Sequence, residues 1–258
     1  MKKLLLGIAA VCLAGFTFAQ DAPLWMRHSV ISPDGTTIAF TYKGDIYTVP
    51  VAGGRAMQIT TNPAYDTAPV WSPDSKRIAF ASDRMGSLDV YIVAKDGGEP
   101  RRLTTHSGSE TPLAFTDAGH VLFSAGIMPS AEAVVFPSNG QFNQVYRVSV
   151  EGGRPTMISS MPMECISINK EGAMLYQDKK GYEDYWRKHH VSSIARDIWM
   201  YTPGKEPQYR QLTTFGGEDR EPVWAPDGKT FYYLSEENGS FNIYRRTPGD
   251  AKAVQLTH

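Results

Sequence analysis

The densest run of chemistry-bearing side chains is Lys179-Lys180-Gly181-Tyr182-Glu183-Asp184-Tyr185-Trp186-Arg187-Lys188-His189-His190-Val191-Ser192-Ser193-Ile194-Ala195-Arg196-Asp197-Ile198-Trp199. Guanidinium groups grip carboxylates through two parallel hydrogen bonds, and an ammonium adds charge without direction. Arg187 and Arg196 are therefore candidate carboxylate anchors, with Lys188 beside them and Trp186 as an apolar wall. A peptide with a free C-terminal carboxylate would suit such a set. The alternative is a solvated loop whose arginines pair with Glu183, Asp184 or Asp197.

The same run holds the residue types of two catalytic devices and the geometry of neither. His190, Ser192, Ser193 and Asp197 are the parts of a Ser-His-Asp triad, but the roles need three side chains converging on one point. No Gly-x-Ser-x-Gly elbow occurs anywhere in the chain. His189 and His190 are adjacent, so on a strand they face opposite ways, and no third zinc ligand stands near them. The reading is a chain with no catalytic residue, no metal site and no cofactor site of its own.

What positions this run is a repeat. Ile31-Ser32-Pro33-Asp34-Gly35, Trp71-Ser72-Pro73-Asp74-Ser75 and Trp224-Ala225-Pro226-Asp227-Gly228 are clear copies of one phrase. Phe115-Thr116-Asp117-Ala118-Gly119 and Ile168-Asn169-Lys170-Glu171-Gly172 are worn ones. An aromatic follows each at Tyr47, Tyr91, Tyr146, Trp199 and Tyr244, and a closing pair begins at Ile59, Leu103, Ile158, Leu212 and Leu256. The three series run in phase at roughly 40–56 residues, close to the period of propeller blades.

Each unit reads as four short strands. Ser-Pro-Asp-Gly suits a type I turn, Ile78-Ala79-Phe80 and Asp89–Val93 are β-rich runs, and Gly97-Gly98 turns into a short outer strand at Arg102-Leu103-Thr104. Such a sheet cannot bury both faces alone, whereas radial stacking covers them. The expected fold is all-β: a β-propeller of four-stranded antiparallel blades, five repeats of a probable six. Trp71, Trp224, Phe115, Phe80 and Tyr232 are expected to wedge between blades. Insertions interrupt the repeat at 126–144 and 179–197, where function tends to concentrate. Approximate blades are 21–61, 62–105, 106–160, 161–214 and 215–258.

Met1-Lys2-Lys3, the apolar stretch from Leu4 to Ala19 and the small residue at its end read as a secretory signal peptide over 1–20. A secreted or periplasmic bacterial protein is expected, not an integral membrane protein. Cys12 falls within that stretch, which leaves Cys165 without an intrachain partner, as a small core residue on a strand. The formal net charge of −1, with scattered basic residues, argues against a nucleic-acid partner.

The repeats resemble those of TolB-like and tricorn propellers, through Ser-Pro-Asp-Gly, Ile78-Ala79-Phe80, Ser82-Asp83-Arg84, Val90-Tyr91 and Arg102-Leu103-Thr104. The stretch Trp186–Ser193 followed by Arg196-Asp197-Ile198-Trp199 resembles an insertion in the first propeller of bacterial tricorn-like serine proteases. So does the opening Leu24-Trp25-Met26-Arg27-His28. The resemblance implies a propeller that guides peptides toward a C-terminal peptidase core, with a second propeller and a PDZ domain as further parts of the full-length protein. No catalytic residue of that family maps onto these 258 residues. The alternatives are a stand-alone TolB-like propeller that binds protein or peptide partners, and the propeller half of a prolyl-oligopeptidase-type enzyme.

Overall fold

Each copy of the repeat folds into one four-stranded antiparallel sheet. The computed structural model of the chain describes residues 25–127, 143–181 and 191–258. The first blade is β1 (Arg27–Ile31), β2 (Thr37–Tyr42), β3 (Asp45–Pro50) and β4 (Met57–Gln58). The second is β5 (Asp66–Trp71), β6 (Arg77–Ser82), β7 (Asp89–Ala94) and β8 (Arg101–Arg102). The third is β9 (Glu110–Asp117), β10 (His120–Ala125), β11 (Gln144–Ser149) and β12 (Thr156–Ser159). The fourth is β13 (Met163–Ile168), β14 (Met174–Asp178), β15 (Ile198–Thr202) and β16 (Gln208–Gln211). The fifth is β17 (Asp219–Trp224), β18 (Phe231–Ser235), β19 (Asn242–Arg246) and β20 (Val254–Gln255). Strands are paired in chain order within every sheet, which makes the fold a propeller of five blades.

The repeated residues have local jobs. In the first turn Gly35 N donates to Ser32 O at 2.8 Å, while Asp34 accepts from Ser32 Oγ at 2.6 Å and from Thr36 N at 3.0 Å. Gly35 adopts φ +72° freely; Ser75 takes φ +58° at the same slot against its Cβ. Ser75 Oγ then accepts from Asp34 N at 3.1 Å, tying the second turn to the first. The aromatic of the third strand stacks on its cross-strand partner: Phe40 on Tyr47, Phe80 on Tyr91 and Phe123 on Tyr146, with centroids 5.9, 5.9 and 5.6 Å apart.

The closing Thr is a staple. Its hydroxyl accepts the backbone N–H that opens the third strand, at 2.9 Å, in Thr60 with Ile46, Thr104 with Val90, Thr213 with Ile198 and Thr257 with Ile243. A Thr60→Val variant should lose roughly 1–3 kcal/mol, the cost of a buried donor left without an acceptor. Thr61→Val, at an exposed neighbour, should leave denaturant melts unchanged. Equal midpoints for the two variants would refute the staple.

One apolar core fills each junction between consecutive blades. Ile46 and Ile59 of the first blade meet Trp71, Ile78 and Phe80 of the second. Val90 and Leu103 meet Phe115, Val121 and Phe123. Leu122 and Val145 meet Met174 and Tyr176, and Leu175 and Leu212 meet Phe231 and Tyr233. The fifth-blade wedge is thus Tyr233 rather than Tyr232. Tyr232 pairs with Arg245 on the other face of β18 and is only half-buried, a one-position slip that alternation turns into a change of face. Packing runs from the first blade through to the fifth, and no comparably packed strand pair joins the fifth to the first among the described residues.

Candidate functional site

The innermost strands β1, β5, β9, β13 and β17 surround a central channel of about 860 Å³. Its wall is mainly apolar, with Val30, Val70, Leu113, Ile166 and Pro222 contributed by successive blades. A bulge recurs on this wall. His28, Ala68, Cys165 and Glu221 occupy equivalent positions in four blades and share φ values of +50° to +52°. Non-glycine residues enter that region at a cost, and bulges re-aim the side chains beside them. The third blade has Pro112 at this position, whose ring forbids positive φ, and its bulge falls between Pro112 and Ala114 instead.

Cys165 is therefore not the core residue expected of it. The left-handed bulge turns it out of the sheet and onto the channel wall, where it is exposed. The enclosing walls still desolvate the thiol, and Glu221 and Glu164 add negative charge, which together push it up to about 12. A thiol held protonated at neutral pH is a poor nucleophile.

Of the candidate peptide-binding residues, Trp186, Arg187 and Lys188 lie outside the described residues, as do His189 and His190. Arg196 is described and buried. Its Nη1 donates to the two oxygens of Glu218 at 3.3 and 3.5 Å, and its Nε lies 3.6 Å from Glu164. Among the described residues its acidic partners are Glu218, just ahead of β17, and Glu164 of β13, rather than the adjacent Asp197. Asp197 accepts from Lys180 Nζ at 2.5 Å and from Gln211 Nε2 at 3.1 Å. Ser192 Oγ caps its own turn by accepting from Ile194 N at 3.2 Å. Asp197 and Ser192 are thereby committed to structural bonds.

Around these residues a charged layer joins the fourth and fifth blades. Lys179 pairs with Glu164 at 3.1 Å, Trp199 Nε1 donates to Asp178 at 3.1 Å, and Arg220 lies 4.1 Å over the ring of Phe241. Burial pushes the Asp219 carboxyl up to about 6 against the hydrogen bonds of Ser235 and Thr213. Burial also raises Glu218 and Asp178 despite their cationic neighbours. Among the described residues no group of three His, Cys, Asp or Glu side chains is placed to hold a metal ion.

The tricorn protease N-terminal β-propeller domain matches residues 23–258. The chain belongs to this tricorn propeller family. Tricorn protease homolog 1 of Streptomyces coelicolor is 25% identical over 86% of the chain, and the chain spans 20% of it. The uncharacterized peptidase YuxL of Bacillus subtilis is 30% identical over 89% of the chain, which spans 31% of it. The chain thus covers a third or less of these curated relatives. The crystal structure of the tricorn protease superposes with a TM-score of 0.73 at 18% identity, covering 92% of this chain and 23% of that one. A putative TolB from Agrobacterium tumefaciens superposes with a TM-score of 0.69 at 16% identity, covering 91% and 81%. At such identities the structural neighbours establish the shared fold, and the tricorn propeller family supplies the kinship.

Proposed function

We propose that the chain is the N-terminal propeller of a secreted or periplasmic tricorn-like serine protease. In this reading it guides or anchors peptides for a peptidase core that lies beyond these residues in the full-length protein. The family match over residues 23–258 carries the reading. The relatives named as a tricorn protease homolog and a peptidase, each several times longer than the match, support it. The apolar channel of about 860 Å³ supplies a surface for an extended chain, and the basic, apolar, small-residue start supplies the export signal.

Trp186, Arg187 and Lys188 are the anchoring side chains of this proposal. Arg196 supports them indirectly, since its pairing with Glu218 and Glu164 ties the C-terminal end of the insertion to the fourth and fifth blades. The experiment is calorimetry of a short peptide with a free C-terminal carboxylate against the parent chain and an Arg187→Ala/Lys188→Ala variant. A loss of about tenfold in affinity is expected, the scale of one charge-assisted contact. Equal binding by both, or binding by neither, overturns the anchoring role. The chain alone should show no peptidase turnover; turnover abolished by Ser192→Ala or Ser193→Ala would overturn that. A stand-alone TolB-like binding module is the second reading, favoured by coverage of 81% of the Agrobacterium neighbour. A reading frame that continues past His258 into a peptidase region decides against it.

A further inference from the structure

The junction of the second and third blades buries more negative charge than its cations balance. Glu110 N donates to Leu88 O at 2.6 Å, which sets the head of β9 against the head of β7. The Glu110 carboxyl is thereby buried at the same junction as that of Asp89, whose charge acts on it. Both residues are 0% exposed. Neither oxygen of Glu110 accepts a well-aligned hydrogen bond, and both are shut off from solvent.

The surroundings supply one cation in contact. Arg102 of β8 places Nη2 2.8 Å from Asp89 Oδ2. The Thr104 hydroxyl and the His106 backbone N–H approach Glu110 from the loop after β8. Tyr91 of β7 lies beside Asp89, and Arg84 sits 4.6 Å over its ring, held there by Asp66. On the far side, the His106 ring, Tyr146 of β11 and Arg154 line the cavity that Glu110 borders. Two ionised carboxylates in one desolvated site repel strongly, and one arginine neutralises only one of them. A single proton removes the excess charge and supplies the missing donor together.

We propose that Glu110 and Asp89 share one proton across this junction, with Glu110 donating to the Asp89 carboxylate that Arg102 holds, so that the junction loosens when the proton leaves. The same two positions hold acids again at the fourth-to-fifth junction, where burial and the charge of Asp197 raise Asp219. The equivalent positions at the third-to-fourth junction are Gln144 and Met163, which carry no charge. At the first junction Arg84 grips Asp66 directly, and within the fourth blade Lys180 grips Asp197 as Arg102 grips Asp89.

Burial first, and the Asp89 charge with it, raise the Glu110 carboxyl from 4.5 to about 7. A group whose pKa is raised by folding stabilises the folded state fully below its unfolded value. That contribution is lost as pH rises through the folded value, here between about 4.5 and 7. Carbon-13 NMR of the glutamate carboxyls in the full chain should show one group titrating near neutrality. That signal should vanish in Glu110→Gln and move toward the ordinary range in Asp89→Asn. Between pH 5 and 8 the parent's unfolding midpoint should fall by roughly 5 °C more than that of Glu110→Gln. If every glutamate of the parent titrates in the ordinary carboxylate range, the shared proton is refuted. A parallel loss of stability in the parent and Glu110→Gln refutes it equally. Should Glu110→Gln not fold, the parent titration and its displacement in Asp89→Asn decide the matter.

Discussion

Trp71→Ala should destabilise the propeller by about 3–5 kcal/mol, the range for emptying a large buried aromatic site. Trp71 closes β5, is 8% exposed, and packs among Ile46, Ile59, Ile78 and Phe80 at the first junction. Its indole N–H also crosses the junction, donating to Val30 O at 3.2 Å. Truncation therefore opens a cavity between two sheets and breaks a bond that joins them. Trp71→Phe keeps most of the packing and should cost about 1 kcal/mol, the net worth of the lost hydrogen bond. Denaturant melts check both. A loss below about 1 kcal/mol for Trp71→Ala would mean the two sheets do not depend on this side chain. Trp224 repeats the arrangement, its indole donating to Ala173 O at 3.1 Å.

Arg84→Ala should be as damaging for a different reason. Arg84 Nη2 contacts both oxygens of Asp66, at 3.0 and 2.9 Å, and Nε donates to Ser82 Oγ at 2.8 Å. The Asp66 side chain is wholly buried while that of Arg84 is 13% exposed. Removing the cation strands a carboxylate with no route to solvent, and breaking such a pair costs about 3–5 kcal/mol. The guanidinium also lies 4.6 Å over Tyr91 and 5.6 Å over Phe80, so stacking is lost with it. The double variant Arg84→Ala/Asp66→Asn should recover a large part of the loss, because the stranded charge is gone. If the double variant is no more stable than Arg84→Ala, packing rather than charge sets the cost.

The architecture was legible because each marker of the repeat answers a local physical demand. A turn needs Asp34 and Gly35, a third strand needs a ring to stack at Tyr47, and a backbone N–H needs the Thr60 hydroxyl. Local demands repeat with the chain, so periodicity reveals them. Tyr232 was misplaced because two tyrosines are adjacent, and only the cross-strand partner of Tyr233, Tyr244, decides which ring faces the core. Arg196 stood out as a carboxylate anchor by residue type alone, and the only acidic partners visible in sequence were its near neighbours. Glu218, just ahead of β17, and Glu164 of β13, which it meets, are far from it in sequence. The Glu110 and Asp89 pair had a signal that went unused. An acid opens the third strand at Asp45 and Asp89 and precedes it at Asp197, and another heads the first strand at Asp66, Glu110 and Asp219. That the two series face each other across a junction is information that only the stacking of blades supplies.

Among the described residues, the backbone-to-backbone bonds between blades all run in one direction along the chain. Asp66 N reaches back to Gly44 O, Glu110 N to Leu88 O, and Asp219 N to Arg196 O, at 2.7, 2.6 and 3.0 Å. The second, third and fifth blades thus begin by docking their first strand onto the sheet made just before it. Side chains that reach the other way, such as Arg77 to Ala118 O, tie the junction once the later blade has arrived. Modules that each contact only their neighbours in the chain add up one at a time, and in such linear arrays folding can start at any junction, the first included, and propagate. Such a chain can build itself vectorially, blade upon blade from the N-terminus, while its later residues are still being synthesised.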